Sequence, residues 1–280
     1  MTKVAIATCA GENVDPDSPL LLAALGAEGV AGELCVWDDP DVAWSNYDLV
    51  VLRSTWDYAA RRDEFLAWAR AVARLANPYE VVVYSSDKHY LADLASKGVP
   101  VVPSTFCNVG AAPEFPEGNF VVKPCVGAGS IDADRYGPDE LARARAHVAR
   151  LHDRGRDVLI QPYVDSVDER GERALVFVDG DFSHAMTKGA MLNVAPPERD
   201  VLFRREQMSA ATVEPDALAL ARDVFASAGF TGLLYGRVDL VATSTGWALM
   251  ELELVEPSLF LSYDDNAATR LARAIRARVS

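Results

Sequence analysis

Arg237 and Asp239, within Tyr235-Gly236-Arg237-Val238-Asp239-Leu240, are spaced two apart, as are Glu251 and Glu253 within Met250-Glu251-Leu252-Glu253-Leu254. That spacing puts each pair on one face of a strand, with Val238 and Leu240, or Met250, Leu252 and Leu254, on the other. Thr243-Ser244-Thr245-Gly246 reads as the turn between the two strands. Paired as a hairpin, they bring three carboxylates and a guanidinium together. Carboxylates at that density repel one another unless a cation lies among them, and an all-oxygen donor set selects Mg2+ or Mn2+. The alternative is an acidic, solvated strand face. The apolar flanks and the Arg-x-Asp partner favour the metal site.

Three other stretches carry chemically capable residues. Asn119 to Lys123 reads as a strand ending on a lysine, followed by Cys125-Val126-Gly127-Ala128-Gly129-Ser130. Glycines let a loop turn its N–H groups onto a phosphate, and a nearby lysine supplies positive charge. No Lys-Ser/Thr follows these glycines, so the loop is not a Walker A motif. Arg53-Ser54-Thr55-Trp56-Asp57-Tyr58 follows a strand, where the loops of open parallel sheets bind ligands. It reads equally as a carboxylate or amino-acid site and as a polar loop with Trp56 in the core. Ser86-Asp87 reads as a helix N-cap, which puts Lys88 in a first helical turn, either inert in solvent or held for an anion.

The elements that must position these residues alternate at first. Val4 to Thr8, Glu33 to Trp37, Asp48 to Arg53 and Glu80 to Tyr84 read as strands. Ser18 to Gly29 and Arg61 to Ala76 have helical spacing, which implies a mainly parallel sheet. Gly98 and Pro100 stop the helix after Lys88. Pro138 opens a helix to about Arg154, and Asp157 to Val164 is a strand broken at Pro162. Arg173 to Lys188 is a hairpin turning at Asp179-Gly180-Asp181. Residues 189 to about 212 read as a loop that could act as a lid. Pro215 to Gly229 and Asp265 to Val279 are helices. Three units follow: residues 1–86, 87–164 and 165–280.

At 280 residues and 50% hydrophobic content the chain can bury a large core. The net charge of -14 argues against nucleic acid or an anionic membrane as partner, though not against a phosphate bound in a local basic cluster. No apolar run approaches a membrane span and no signal peptide is evident, so a cytoplasmic location is expected, with homo-oligomerisation left open. Cys9, Cys35, Cys107 and Cys125 are scattered without a C-x-x-C pair, which indicates four buried thiols and neither a zinc motif nor a disulfide framework.

In order, these features resemble the ATP-grasp superfamily over nearly the whole chain. Each is weak alone: a lysine-bearing helix ending in Gly-Val-Pro, a strand lysine before a glycine loop, Gln161-Pro162-Tyr163-Val164, a hairpin ending in Lys188, then Arg-x-Asp and Glu-x-Glu. Their order is specific. The chain is similar to the compact branch related to ribosomal-protein glutamate ligases. RSTWDY, DKHYLADLASKGVPVVPS and ELELVEPSLFL are closest to a subgroup that includes D-cycloserine synthetase.

The resemblance implies an α/β ATP-grasp fold: an N-terminal parallel α/β domain, then two α+β subdomains that clasp ATP. It implies Lys88 and Lys123 on the α and β phosphates, with Gly127, Gly129 and Ser130 closing over the triphosphate. Gln161, Tyr163 and Val164 meet adenine, and Asp168 is a ribose candidate. Lys188 reaches the terminal phosphate. Asp239, Glu251 and Glu253 hold two Mg2+, and Arg237 stabilises the transferring phosphoryl group. Arg53, Ser54, Thr55 and Asp57 are the substrate candidates. Two positions depart from the family pattern: Glu253 stands where many members have Asn, and Gln161 where Glu is common.

The implied activity is phosphorylation of a small-molecule carboxylate to an acyl phosphate, then amide-type bond formation, without a protein nucleophile. Its most specific form is ring closure within one small amino acid, as from O-ureido-D-serine. The alternatives are an intermolecular carboxylate–amine ligase, a kinase on the same fold, and a nucleotide-binding protein without catalysis.

Overall fold

The structure, a computed structural model, describes residues 2–11, 14–190 and 208–280. Three sheets organise it. The first is parallel and four-stranded: β1 (Lys3–Thr8), β2 (Ala31–Val36), β3 (Leu49–Ser54) and β4 (Leu75–Ala76), in the order β2-β1-β3-β4. The central strands are buried along almost their whole length, hence their continuous apolar runs. Helices α1 (Ser18–Ala27) and α2 (Arg62–Ala71) connect its strands.

Two elements of this region differ from the sequence expectation. The helix expected over Arg61 to Ala76 stops at Ala71, and Leu75–Ala76 instead extends the sheet, with Val50 donating its N–H to Arg74 O at 2.8 Å. The strand expected over Glu80 to Tyr84 is helix α3 (Tyr79–Ser85). Val81 and Val82 are both fully buried, one in each of two separate cores. A short helix wedged between two cores carries apolar residues on more than one face, so period gives no signal and tertiary packing overrides the β preference of valine.

Ser86 caps the C-terminus of α3 rather than starting a helix, and α4 spans Tyr90–Ser96. Lys88 therefore sits in the turn between α3 and α4, not in a first helical turn.

The second sheet is antiparallel: β5 (Thr105–Cys107), β6 (Phe120–Pro124), β7 (Asp134–Tyr136) and β8 (Val158–Pro162), ordered β5-β8-β6-β7. Helix α5 (Leu141–His152) lays Ala144, Val148 and Leu151 against Phe120, Val122 and Ile160. Pro138 opens a 3-10 turn ahead of it.

The third sheet is antiparallel and five-stranded: β9 (Glu172–Val178), β10 (Asp181–Lys188), β11 (Met208–Ala210), β12 (Tyr235–Thr243) and β13 (Gly246–Glu253), ordered β11-β10-β9-β12-β13. Helix α6 (Ser166–Arg170) leads into β9. Helices α7 (Pro215–Ala228) and α8 (Ala267–Arg278) complete the chain. A Cβ on Gly236 would lie 2.7 Å from Phe225 of α7 and from Leu254, so only glycine permits that approach. Each large aliphatic side chain buried in this core contributes roughly 1.5–3 kcal/mol. The loop expected over residues 189–212 lies mostly outside the described residues, although Met208–Ala210 within it is a strand.

Asn77 joins the first sheet to the third. Its side-chain amide donates to Tyr235 O and Leu254 O at 2.8 Å each, and its Oδ1 accepts from Leu234 N at 2.8 Å. All four cysteines are buried thiols outside any disulfide.

Candidate active site

Two β-bulges build the site. Counting back from the Thr243–Gly246 turn, a regular hairpin would pair Asp239 with residue 250, leaving Glu251 and Glu253 on the opposite face. The register instead shifts between Asp239 and Leu240, giving Asp239↔Glu251 and Arg237↔Glu253. Met250 is the extra residue. A one-residue shift turns every subsequent side chain to the other face, so the bulge itself brings the carboxylates together. Met250 also leaves the core face assigned to it from alternation and joins the cavity wall.

The second bulge, between Phe182 and His184, brings Lys188 opposite Glu172. At the start of β9, a Cβ on Gly171 would lie 2.4 Å from Lys188 O, so glycine is required for this approach.

On the shared face Lys188 Nζ is 2.8 Å from Asp239 Oδ2 and 3.5 Å from Glu172. Arg237 grips Asp239 through Nε and Nη2 at 2.8 and 2.9 Å, also pairs with Glu253, and donates to Ser258 O at 2.9 Å. Lys88 crosses from its turn to Glu251 at 2.8 Å and donates to Gly127 O at 3.0 Å.

Burial opposes ionisation here, and local cations decide the outcome. Against the effect of burial, Arg237 and Lys188 hold Asp239 well below the usual carboxylate range, and Lys88 and Lys123 do the same for Glu251. Glu253 moves the other way: burial, reinforced by Glu251 and Asp239, exceeds the pull of Arg237. Burial also raises Glu172 despite Lys188. Lys123 is lowered by burial and has no ion-pair partner among the described residues. Glu253 and Glu172 thus stay raised although four cations stand on this face, and the donors they offer are oxygen. These residues fit a hard divalent cation.

A cavity of about 370 Å³ spreads over this face. Of the candidate residues, Lys88, Lys123, Gly127, Gly129, Ser130, Gln161, Tyr163, Val164, Lys188, Arg237, Glu251 and Glu253 line it. Gly129 and Ser130 both have positive φ, at 60° and 57°, and Arg156 secures the loop by donating to Val126 O at 2.6 Å. Gln161 donates to Ser104 at 2.9 Å. Asp239 is fully buried beneath the wall. Asp168 lies outside the lining, bound to Tyr163 and 3.4 Å from Arg135.

The substrate candidates are placed differently. Ser54, Thr55 and Asp57 do not line the cavity: Ser54 bonds Thr8 at 2.7 Å, Thr55 is buried, and Asp57 accepts from Trp37 Nε1 at 2.9 Å and pairs with Arg61. Arg53 lies behind the wall, paired with Asp15 and donating to Pro257 O at 2.8 Å. The 3-10 turn over Trp56–Ala60 instead presents Trp56 and Tyr58 to the cavity.

Asp15, Asp17, Glu172 and Glu256, which sequence reasoning missed, also line the cavity. Glu256, three residues past Glu253, was the most findable. Burial and the neighbouring Glu253 push it up to about 8. Neither Asp17 nor Glu256 has an ion-pair partner among the described residues. His184 is outside the lining; its Nε2 lies 2.8 Å from Leu259 O.

With this geometry in place, known proteins supply the lineage. Residues 4–77 match the family described as the D-cycloserine synthetase DcsG N-terminal domain. The cycloserine biosynthesis protein DcsG of Streptomyces lavendulae is 42% identical, over 95% of each chain. The crystal structure of D-cycloserine synthetase DcsG superposes with a TM-score of 0.89 at 39% identity, covering 99% of this chain and 100% of that one. D-alanine–D-alanine ligase from Bacillus anthracis, complexed with ATP, shares the fold at 14% identity, with a TM-score of 0.68 and 99% of each chain covered. This chain belongs to the D-cycloserine synthetase family of ATP-grasp ligases.

Proposed function

We propose that this ATP-dependent ligase closes the ring of a small amino acid, O-ureido-D-serine, to give D-cycloserine. The observation that carries this reading is the likeness to the Streptomyces protein, which extends through the N-terminal half as well as the nucleotide-binding half. The N-terminal part supplies Asp15, Asp17, Trp56 and Tyr58 to the cavity wall.

ATP would lie along the lysine-lined wall. Lys88 and Lys123 would approach the α and β phosphates, with Gly127, Gly129 and Ser130 over them and Lys188 at the terminal phosphate. Adenine would rest among Gln161, Tyr163, Val164 and Met250, with Asp168 near the ribose. Asp239, Glu251 and Glu253 would hold two Mg2+, which would neutralise phosphate charge.

The amino-acid substrate would approach the acidic wall, its ammonium facing Asp17 and Glu256. Arg53 acts there through Asp15, which it holds in place. The substrate carboxylate takes the terminal phosphoryl group and ADP leaves; Arg237 and Lys188 stabilise the charge that develops. The nitrogen borne on the substrate's side-chain oxygen then attacks the acyl carbon and expels phosphate. The carbamoyl group that this nitrogen carries in the substrate and lacks in the product is lost by hydrolysis. No protein nucleophile is needed, because holding both reacting groups in one molecule already supplies the proximity.

The test is ADP release with Mg-ATP and O-ureido-D-serine alone, followed by mass spectrometry of the product. Ring closure requires ADP and cycloserine without a second substrate. A requirement for an added amine would mark a joining ligase, and a stable phosphorylated product would mark a kinase.

A further inference from the structure

A second cavity of about 540 Å³ is lined by Arg62, Asp87, Cys125, Arg156 and Asp157 among others. Asp87 and Cys125 in this lining stand close to a third side chain of different chemistry, His89. One ligand atom each from Asp87, His89 and Cys125 lie within 4.8 Å of one another. We propose that these three residues form a binding site for a thiophilic divalent cation of the Zn2+ class, separate from the oxygen-rich site that faces ATP.

Thiolate, imidazole and carboxylate together match the ligand set of zinc, with a fourth position left for water from the cavity. Mg2+ would find one oxygen donor. The scaffold is already held: His89 Nδ1 lies 2.7 Å from Asp87 Oδ1, and the His89 ring stacks on Phe106 at 4.4 Å. Cys125 is fixed by two backbone hydrogen bonds, its N–H to Asp157 O at 2.8 Å and its carbonyl from Lys88 N at 2.9 Å. Burial raises the Cys125 thiol, and coordination to a cation releases its proton. Sequence spacing shows no zinc motif, because Cys125 is remote in the chain from Asp87 and His89. A bound ion ties the turn that carries Lys88 to the start of the glycine loop, two parts of the nucleotide cavity.

Titration of the full chain with Co2+, in the absence of other divalent ions, reads the site directly. A saturable thiolate-to-cobalt charge-transfer absorption is expected, displaced by Zn2+; cobalt held by the carboxylates alone gives none. Cys125→Ala and Cys125→Ser should both abolish it, two replacements so that a folding failure of one, followed by circular dichroism, does not decide the result. His89→Gln and Asp87→Asn should each weaken binding by roughly 10–100-fold. Absence of the band in the unmodified chain, or its persistence in a folded Cys125 variant, overturns the proposal.

Discussion

The wall of the main cavity draws on two opposite materials. One is basic and flexible in its backbone chemistry: Lys88, Lys123, Lys188 and a loop whose Gly129 and Ser130 have positive φ. The other is acidic and aromatic: Asp15, Asp17 and Glu256 beside Trp56 and Tyr58. Arg237, Glu251 and Glu253 also line the cavity, with Asp239 beneath. A polyphosphate suits the first and a small cationic amine the second. The contrast explains how an acidic chain binds ATP: its positive charge is local.

Breaking the carboxylate cluster gives the largest effect. Glu253→Gln should lower turnover by about 10²–10³-fold, the scale of losing one charge-stabilising group, while the fold persists. Steady-state kinetics with ADP detection checks this.

Asp239→Ala separates stability from chemistry. It removes a buried carboxylate that both Arg237 and Lys188 bind, which should cost about 3–5 kcal/mol in denaturant unfolding.

Glu256→Gln probes the acidic wall alone. The KM for the amino acid should rise about tenfold, or roughly 1.4 kcal/mol, with the KM for ATP unchanged. The same variant carries a pH signature. Glu256 in the fold titrates at about 8 against an ordinary 4.5. Between those values the folded chain keeps a proton that the unfolded chain releases, so this group makes stability fall as pH rises. The loss is on the order of a few kcal/mol across the window. Melting temperatures from pH 5 to 8 should decline less steeply in Glu256→Gln; an unchanged slope would remove Glu256 as the source.

The smallest effect is expected at Asp57. Its partners are Trp37 and Arg61, outside the cavity lining. Asp57→Asn should leave both KM values within about twofold and cost roughly 0.5–1.5 kcal/mol in stability. A large KM change would return Asp57 to the substrate site.

The two walls also differ in how far the sequence reveals them. The basic wall is largely local: Lys123 ends a strand and runs into its glycine loop, and Lys188 ends a hairpin whose turn is marked by Asp179-Gly180. Each can be found by pattern. The acidic wall gathers Asp15, Tyr58 and Glu256 from three distant segments. The Arg53–Tyr58 loop is notable in sequence, but sequence does not show which of its side chains reach the cavity. Its polar side chains turn to Thr8, Trp37, Arg61 and Asp15, while the aromatic ones face the cavity.

The sequence by itself determined the residue types that do the chemistry, their order, and the strands and turns that carry most of them, because alternation and turn residues are local properties. Tertiary structure decided which face those residues share. Without the bulge at Met250, Glu251 and Glu253 would point away from Asp239; without the one before His184, Lys188 would point away from Glu172. A bulge has no signature in alternation alone. It is fixed by packing on both sides of the sheet, where Leu240, Leu249 and Leu252 must stay in the core while the charged residues reach the cavity.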